Sequence, residues 1–214
     1  MVCEALEFTE NEDCILRTGS LVLRRPRAED ATSIARLAND RTIAENTASI
    51  PYPYMLADAE AFVARVASGE LNSFLAFADV DGICTPVGAG GFGQSDGVPE
   101  LGYWVGSAYR GRGYATELAR ALVDYAFETM GADKIHVCCR VTNTASRRVI
   151  EKCGFQWQGC GLASSLGFKG AFPVDRFRLD RRIWESLIAW GKDRRERWPL
   201  AVVSANANAE NMTR

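Results

Sequence analysis

Apolar residues recur at helical spacing through one long segment near the middle of the chain. The periodic positions are Ala115, Leu118, Ala119, Leu122, Val123, Ala126, Phe127 and Met130. Since a helix has about 3.6 residues per turn, these side chains form one apolar stripe, with Glu117, Asp124 and Glu128 on the opposite side. Gly131 follows the last periodic residue, which is typical of a left-handed helix end. The pattern predicts an amphipathic helix with one buried face.

Strand-like and helical patterns alternate on both sides of this helix. The predicted strands are Leu21–Arg24, Ser73–Asp79, Pro86–Gln94, Glu100–Val105, Lys134–Val141, Phe155–Leu162 and Phe172–Leu179. The other predicted helices are Arg27–Asn39, Asp58–Ala67, the segment between Asn143 and Gly154, and Arg181–Arg197. This order predicts an α/β (α+β) fold with a mixed, mostly antiparallel central sheet flanked by helices.

Length and composition indicate one folded unit with polar ends. The chain has 214 residues, 47% hydrophobic and 24% charged, which is enough for one sizeable core and short for two domains. We expect residues 1–19 to form a flexible leader and 20–180 the folded domain. We expect 181–198 to form a C-terminal helix and 199–214 a disordered tail.

Charge and residue usage argue against several classes of partner. The formal net charge of −2 argues against a general nucleic-acid binder, because such proteins are normally basic. No run is long and apolar enough to span a bilayer, and the acidic N-terminus lacks the plan of a signal peptide. The seven cysteines form no C-x-x-C pair, and the chain has a single histidine. We therefore expect a cytoplasmic protein with reduced thiols, no metal, no nucleic acid and no membrane partner.

One glycine-rich segment imitates a nucleotide-binding fingerprint. Gly88–Gly93 (GAGGFG) matches G-x-G-x-x-G letter for letter. A dinucleotide fingerprint leads into a helix whose N-terminus holds the pyrophosphate, whereas this segment leads into the turn Ser95–Pro99 and another strand. A central strand with close backbone packing is therefore a better interpretation than a nucleotide-dependent oxidoreductase.

The turn before the long helix has the chemistry of an anion site. Arg110–Gly113 (RGRG) leads into the first helical turn, where backbone N–H groups have no intrahelical partner. Two glycines let the backbone approach a ligand closely, and two arginines add positive charge where the helix dipole already favours an anion. The pattern predicts a pyrophosphate cradle.

Three segments, in order, resemble the GNAT superfamily of N-acetyltransferases. Arg110–Ala115 (RGRGYA) resembles its acyl-CoA pyrophosphate loop, R/Q-x-x-G-x-G/A. Glu100–Val105 (ELGYWV) and Asn143–Phe155 (NTASRRVIEKCGF) resemble the RimJ/RimL-type branch, which acetylates protein N-termini and small amines. The resemblance is tight over 99–159 and looser over 20–180. It implies the GNAT fold.

The resemblance implies an enzyme that moves an acetyl group from acetyl-CoA to a primary amine by direct attack in a ternary complex. The implied cofactor-binding residues are Tyr103, Trp104, Val105, Arg110, Gly111, Arg112, Gly113, Tyr114, Ala115, Asn143 and Ser146. The pantetheine would lie along the strand that contains Trp104, where that strand splays from the next. A backbone N–H near Trp104 or Val105 would stabilise the oxyanion.

Two residues are candidates for the proton transfers. Glu100 is the candidate base, directly or through a water, and an exposed carboxylate without a role is an equally weighted alternative. Many GNAT enzymes use a tyrosine in the helix after the asparagine as general acid, but Ile150 occupies that position here. Ser146 is the RimJ/RimL-type alternative donor, beside Asn143, which is placed to cap the helix and to bind cofactor.

The resemblance implies a small-molecule or peptide amine as the acceptor. An α-amine with a pKa near ~8 is about one-tenth neutral at pH 7, whereas a lysine amine near ~10.4 is neutral about once in a few thousand. A weak base therefore favours α-amines or other amines of low pKa. Relatives that act on N-termini often carry a glutamate in the loop matching Ala163–Phe172, and no acid occurs there before Asp175. That departure argues against protein N-termini.

Several residues have two interpretations. In this fold Asp40–Tyr54 helps to shape the acceptor pocket, and Pro51–Tyr54 supplies either pocket aromatics or rings packed on the core. His136 is expected to be a half-exposed strand residue rather than a base. The cysteines are not expected to act as nucleophiles, since direct transfer needs none.

A second hypothesis assigns the chain to a different functional class. Because Ile150 replaces the usual tyrosine and the base is uncertain, a non-catalytic acyl-CoA-binding or sensing module is the alternative. The resemblance also admits a homodimer, which no sequence feature indicates.

Overall fold

The computed structural model describes residues 15–166, 168–190 and 201–203. Its strands are β1 (Ile15–Arg17), β2 (Leu21–Arg24), β3 (Asn72–Val80), β4 (Ile83–Ser95), β5 (Val98–Val105), β6 (Lys134–Arg140), β7 (Gln156–Ser165), β8 (Phe168–Asp180) and β9 (Ala201–Val203). Its α-helices are α1 (Ala31–Ala38), α2 (Arg41–Asn46), α3 (Leu56–Ala67), α4 (Tyr114–Glu128), α5 (Thr144–Lys152) and α6 (Arg181–Trp190). The short helix α2 is the one helix among these that the hydrophobic pattern did not predict.

The described strands form a single sheet in the order β7-β8-β6-β5-β4-β3-β2-β1-β9. Neighbouring strands are antiparallel except β5 and β6, which are parallel. The prediction of a mixed, mostly antiparallel sheet flanked by helices is confirmed. A parallel pair in such a sheet needs a long crossover, and α4 provides it between β5 and β6.

Helices cover both faces of the sheet, so its central strands are buried on both sides. On one face α4 packs through residues such as Leu122 against Phe74 of β3. On the other face Ile34 of α1 and Val63 of α3 pack with Leu75, the next residue of β3. Successive strand residues point to opposite faces, which explains why β3 has an unbroken apolar run rather than an alternating one.

The glycine-rich segment Gly88–Gly93 lies inside β4, at the crowded centre of the sheet. A Cβ added at Gly91 would lie 2.3 Å from the backbone oxygen of Asn72, and one at Gly90 would lie 2.8 Å from Cδ1 of Leu122 on α4. The glycines are therefore required for close packing. The interpretation as a close-packed central strand, rather than a nucleotide fingerprint, is confirmed.

The two ends of the chain are more structured than their composition indicates. Ile15–Arg17, within the expected leader, forms β1 and pairs with β2. Ala201–Val203, within the expected disordered tail, forms β9 and pairs with β1. Each of these segments forms a strand because another strand lies beside it in the fold. The composition of the segment does not show that neighbour. The rest of both segments, and the expected helix beyond Trp190, lie outside the described residues.

The cysteines differ from expectation at one position. Cys84 is disulfide-bonded, so the expectation that the thiols are all reduced is wrong there. The other described cysteines, Cys138, Cys139, Cys153 and Cys160, are free. Within the described ranges no helix is long and apolar enough to cross a bilayer.

Candidate active site

The loop before α4 presents an open set of backbone donors. Gly111 and Gly113 have φ of +78° and +87°, in the left-handed region that favours glycine, and Gly113 is the N-cap of α4. A Cβ added at either glycine would meet nothing within 4 Å, so the space beside the loop is open. Among the described residues, no acceptor contacts the N–H groups of 111–115. These N–H groups and the helix dipole together form a site that fits an anion.

Of the two arginines in this loop, one is already engaged. Arg110 donates from Nε to the backbone oxygen of Val105 at 3.2 Å and from Nη2 to Asp40 Oδ2 at 2.9 Å. Arg112 is exposed, with its guanidinium 6.0 Å from the centre of the Tyr109 ring. The structure therefore leaves anion binding to the backbone N–H groups and to Arg112, whereas Arg110 braces the loop.

Glu117 fixes the first turn of α4 to the opposite end of the sheet. Its carboxylate accepts hydrogen bonds from the Ser20 hydroxyl at 2.9 Å, from the Leu21 backbone N–H at 3.1 Å and from the Thr18 hydroxyl. Sequence periodicity placed Glu117 on the solvent side of the helix. Its partners lie almost a hundred residues earlier in the chain, so periodicity could not have identified them.

Strands β5 and β6 separate soon after they begin. They pair in register only at Glu100 and His136, although both continue for several residues beyond that point. The other edge of β5 stays paired with β4 through Val105. The β6-facing edge of Tyr103–Val105 is therefore unpaired and open, as the resemblance implied for the pantetheine.

Ser146 lies in the first turn of α5, close to β5. The Asn143 side chain caps α5 by accepting from the Ser146 N–H at 3.1 Å. The Tyr103 Oη lies 3.0 Å from the Ser146 Oγ and 3.3 Å from the Ser146 backbone oxygen, within hydrogen-bond distance of both. Burial raises the pKa of Tyr103 well above its usual range. The structure thus brings together three residues from the predicted set.

The two catalytic candidates lie on opposite faces of the sheet. Tyr103, beside Ser146, packs with the α4-side core, whereas Trp104 packs with the α1–α3 cluster. Side chains alternate along a strand, so Glu100 shares the face of Trp104. A thioester passing through the opening between β5 and β6 would meet Ser146 on one face and Glu100 on the other.

Glu100 is half-buried and lies beside the Cys138 thiol. Burial, and then the neighbouring Glu100 carboxyl, raise the pKa of Cys138 to about 12. Burial likewise raises the pKa of Cys139 to about 11 and that of Cys153 to about 12. Such thiols stay protonated at neutral pH and are poor nucleophiles. His136 is half-exposed, as expected.

The segment that begins at Asp40 closes the side of the sheet where the strands separate. Arg140, at the end of β6, donates to the Glu45 backbone oxygen at 2.8 Å, and Leu166 donates from its N–H to the Ala48 oxygen at 2.9 Å. With the Arg110–Asp40 pair, α2 is thus joined to the cofactor loop, to β6 and to the β7–β8 turn. These contacts are consistent with a wall of an acceptor pocket.

Two expectations about this wall are revised by the structure. The segment Ala163–Gly170 is not a long loop, because β7 continues to Ser165 and β8 begins at Phe168. Of the aromatics in Pro51–Tyr54, Tyr54 is buried in the α1–α3 cluster and Tyr52 is 51% exposed. One ring packs on the core, and the other is free to face a ligand.

Asp175 is a buried carboxylate that the sequence did not distinguish. It is 4% exposed and accepts from Arg147 Nη1 at 3.0 Å, from Trp157 Nε1 at 3.0 Å and from the Cys160 thiol at 3.4 Å. The hydrogen bond from Trp157 is the main reason that the pKa of Asp175 is lowered. Because Arg147 follows Ser146 in α5, Asp175 joins the helix that contains the candidate donor to β8.

The described part of the chain contains no group of three or more His, Cys, Asp or Glu side chains that could hold a metal. The features that could hold a ligand are instead the N–H groups of 111–115 and the open edge of β5. Together they fit an elongated, anionic acyl carrier.

Comparison with known proteins identifies the family. Residues 20–156 match the family model described as the Acetyltransferase (GNAT) domain. The chain therefore belongs to the GNAT acetyltransferase family, and the resemblance on the three sequence segments is confirmed.

Two curated Bacillus proteins show how far the sequence similarity extends along this chain. YdaF of Bacillus subtilis (strain 168), provisionally named a ribosomal N-acetyltransferase, is 33% identical over 91 residues, which are 42% of this chain and 50% of YdaF. The match thus spans half the length of that relative. The uncharacterized N-acetyltransferase p20 of Bacillus licheniformis is 25% identical over 149 residues, covering 67% of this chain and 83% of p20.

Solved structures share the fold. Mycobacterium smegmatis RimJ, in complex with CoA-disulfide, superposes with a TM-score of 0.64 at 20% identity, covering 84% of this chain and 94% of RimJ. RimL, the ribosomal L7/L12 α-N-protein acetyltransferase in complex with coenzyme A, superposes with a TM-score of 0.66 at 18% identity. The superposition covers 79% of this chain and 98% of RimL. At these identities the likeness establishes the fold alone.

Proposed function

We propose that this GNAT protein binds acetyl-CoA in the opening between β5 and β6 and transfers the acetyl group to the α-amine of a peptide. The single observation that supports this best is the coincidence of two open surfaces: the free N–H groups of 111–115 and the unpaired edge of Tyr103–Val105. The first suits a pyrophosphate, and the second suits the amide groups of a pantetheine.

Different residues of the site bind different parts of acetyl-CoA. The N–H groups of 111–115 and the Arg112 guanidinium hold the pyrophosphate, and Tyr103–Val105 align the pantetheine through their backbone. Asn143 holds the start of α5 against the carrier through its cap on Ser146. Acetyl-CoA supplies the acetyl thioester when it is bound.

The chemistry is a direct attack of the amine nitrogen on the thioester carbon. Glu100 accepts a proton from the attacking amine, and a backbone N–H near Trp104 or Val105 stabilises the negative oxygen. When the carbon–sulfur bond breaks, its electron pair goes to sulfur, and the Ser146 hydroxyl donates a hydrogen bond to the thiolate. Glu100 then releases its proton to water and the thiolate takes up one proton from water, so the reaction balances without a further reagent.

The choice of a peptide α-amine as acceptor has support and one contrary observation. Relatives and neighbours named as ribosomal-protein acetyltransferases, such as YdaF and RimL, support a peptide or protein acceptor. The wall from Asp40 to Ala48 stands across the sheet face that contains Glu100. The observation against a peptide acceptor is that the β7–β8 turn lacks the glutamate that relatives acting on N-termini often have. Low-pKa small-molecule amines are the other members of the proposed class.

The test is thiol release from acetyl-CoA with a panel of matched acceptors. Short peptides with free N-termini are compared with the same peptides blocked by N-acetylation, and with polyamines, amino acids and antibiotic amines. We expect turnover with the free peptides and none with their blocked copies. Tight acetyl-CoA binding without turnover on any amine would instead support the acyl-CoA-sensing module.

A variant of the proposed base sharpens this test. Glu100→Gln retains the size of the side chain and removes its ability to accept the proton. We expect its turnover to fall about 10²-fold at pH 7 and to recover as pH rises, because more amine is then neutral in solution. A pH-independent deficit would contradict the role of Glu100 as base.

We also propose a cytoplasmic location and leave a homodimer as an option. The Cys84 disulfide argues against a cytoplasmic location, because cytosolic thiols are usually kept reduced. Counting thiols that react with an alkylating agent in freshly lysed, denatured cells would decide whether Cys84 is oxidised. The mass of the protein in solution would decide the oligomeric state.

A further inference from the structure

The helix position at which many GNAT enzymes place a tyrosine does not face the open edge of β5 in this protein. Ile150 occupies it and is 1% exposed, within the core that α4 forms with the sheet. A hydroxyl at this position would be buried among apolar side chains. The proton donor for the leaving sulfur must therefore be assembled elsewhere.

The structure brings a different phenol to the same helix. Tyr103 belongs to β5, forty-three residues before Ser146, and its Oη lies 3.0 Å from the Ser146 Oγ. The same Oη lies 3.3 Å from the Ser146 backbone oxygen, so the phenol is within hydrogen-bond distance of both oxygens of one residue. The sequence resemblance assigned Tyr103 only to cofactor binding, through its backbone.

We propose that Tyr103 is a positioning residue for acetyl transfer, which donates its single hydroxyl proton to the Ser146 Oγ, the nearer of the two Ser146 oxygens, and thereby turns the Ser146 proton toward the leaving sulfur. This inference rests on the proposed function. A serine hydroxyl has one proton and can rotate freely, so a neighbouring donor that occupies an acceptor position of its oxygen fixes where that proton points.

Two further contacts restrict Ser146 to this arrangement. The Asn143 side chain holds the Ser146 N–H at 3.1 Å, which fixes the backbone of the first turn of α5. The Arg147–Asp175 hydrogen bond at 3.0 Å holds the next residue of the helix to β8. With the backbone held in this way, the contact with Tyr103 restricts the Ser146 side chain and its hydroxyl.

The Tyr103 phenol remains neutral throughout the proposed reaction. Burial keeps the phenol of Tyr103 protonated across the pH range in which the amine reacts. It therefore donates a hydrogen bond without giving up its proton. As the carbon–sulfur bond breaks, the electron pair moves to sulfur, Ser146 donates to the thiolate, and Tyr103 donates to Ser146.

The experiment is a double-mutant cycle on kcat. Tyr103→Phe removes only the hydroxyl, and Ser146→Ala removes the group through which it acts. We expect Tyr103→Phe to lower kcat about 10-fold with the KM for acetyl-CoA changed less than about 2-fold, as for one lost hydrogen bond. We expect the double variant to be no slower than Ser146→Ala alone, because neighbours that act as a unit are not additive.

A matched control separates this effect from the loss of any buried phenol. Tyr125 of α4 is also buried, and its ring lies edge-on to Phe74 with 5.1 Å between ring centres, away from the open edge of β5. We expect Tyr125→Phe to leave kcat within about 2-fold, whatever its effect on thermal stability. An equal deficit in both variants would overturn the assignment to Tyr103.

The second readout depends on the leaving group, which a merely structural role would not change. With the analogue of acetyl-CoA whose leaving atom is oxygen instead of sulfur, the leaving group is far more basic and needs its proton donor more. The Tyr103→Phe deficit should then grow several-fold beyond that with acetyl-CoA.

Three further outcomes would overturn the inference. Additive losses in the cycle, or a deficit independent of the leaving group, would contradict the Tyr103–Ser146 coupling while leaving the proposed function intact. An unaltered protein that turns over no amine would reject the proposed function, and this inference with it.

Discussion

Arg110 of the cofactor loop and Asp40, the N-cap of α2, form an ion pair in which Nη2 lies 2.9 Å from Oδ2. The same Asp40 carboxylate accepts from the Thr42 N–H at 2.7 Å and so begins α2. The pair therefore connects the loop that would hold the pyrophosphate to the wall that would face the acceptor. Exposed ion pairs contribute only about 0.2–1 kcal/mol, so its effect should lie in geometry more than in stability.

Asp40→Asn tests this connection. We expect the melting temperature to change by no more than about 2 °C and the KM for the acceptor to rise about 3- to 10-fold, because α2 loses its link to the loop. Glu70→Gln breaks the exposed pair with Arg65 of α3, outside this wall, and is the control, with KM unchanged within about 2-fold. Steady-state kinetics on both substrates measures these values. Equal KM for the unaltered protein and Asp40→Asn would contradict the link.

The left-handed glycine at the N-cap of α4 can be tested against a glycine with the same backbone conformation. Gly113→Val adds a side chain to the open side of the cradle and forces a β-branched residue to φ near +87°, which costs about 1–2 kcal/mol. Gly97, in the turn between β4 and β5, has φ of +75° and equally open surroundings.

We expect Gly113→Val and Gly97→Val to lose similar stability but to differ in cofactor affinity. Calorimetric titration with coenzyme A should show a loss of about 10²-fold or more for Gly113→Val and less than about 2-fold for Gly97→Val. Similar affinities in the two variants would show that the cradle lies elsewhere.

Asp175 should make the stability of the fold depend on acid pH. Its pKa is lowered in the folded protein, chiefly by the hydrogen bond from Trp157, so the ionised form is favoured by folding. The stability it contributes is therefore present above its unfolded pKa of about 3.9 and is lost as pH falls through its lower folded pKa. Asp175→Asn removes the charge but retains the shape of the side chain.

The measurement is the difference in unfolding free energy between the unaltered protein and Asp175→Asn, obtained by denaturant titration at several pH values. We expect it to be constant between pH 7 and 5 and to shrink below about pH 4. A difference that stays constant down to pH 3 would mean that the carboxylate charge is not what Arg147 and Trp157 stabilise.

The protonated cysteines predict the order of the kinetic mechanism. Because burial raises the pKa of Cys138 and Cys153 to about 12, neither thiol should form an acetyl-enzyme at neutral pH. Initial rates at several concentrations of both substrates should give intersecting rather than parallel double-reciprocal lines. Cys138→Ala should retain turnover within about 3-fold. Parallel lines, or an acetylated cysteine found by mass spectrometry, would reject direct transfer.

Local patterns were sufficient for the features that depend on neighbouring residues. The periodicity of α4, the left-handed Gly131 after it (φ +67°), and the Asn143 cap of α5 follow from contacts within a few residues. The same holds for the anion-binding chemistry of the RGRG turn. The sequence could specify each of these because helix periodicity, capping and turn conformation are decided locally.

Other features could not be read from any local stretch. Helix α2 has few apolar positions, and Asp40 was noted only as the start of a segment near the acceptor. Glu117 was placed on a solvated face, although it holds α4 to Ser20. Asp175 was noted only as the first acid after the Ala163–Phe172 loop. Each of these has partners far away in sequence, so its role depends on which strands come to lie together.

The sequence by itself determined the fold class, the family and the glycine-rich turn that begins α4, since each is encoded in short segments with their own hydrogen-bonding and packing preferences. The tertiary structure alone decided where β5 and β6 separate, which arginine of the loop is already paired, and that Tyr103 meets Ser146. These are contacts between elements distant in the chain. Their geometry is set by the packing of a whole sheet between helices, which no local pattern records.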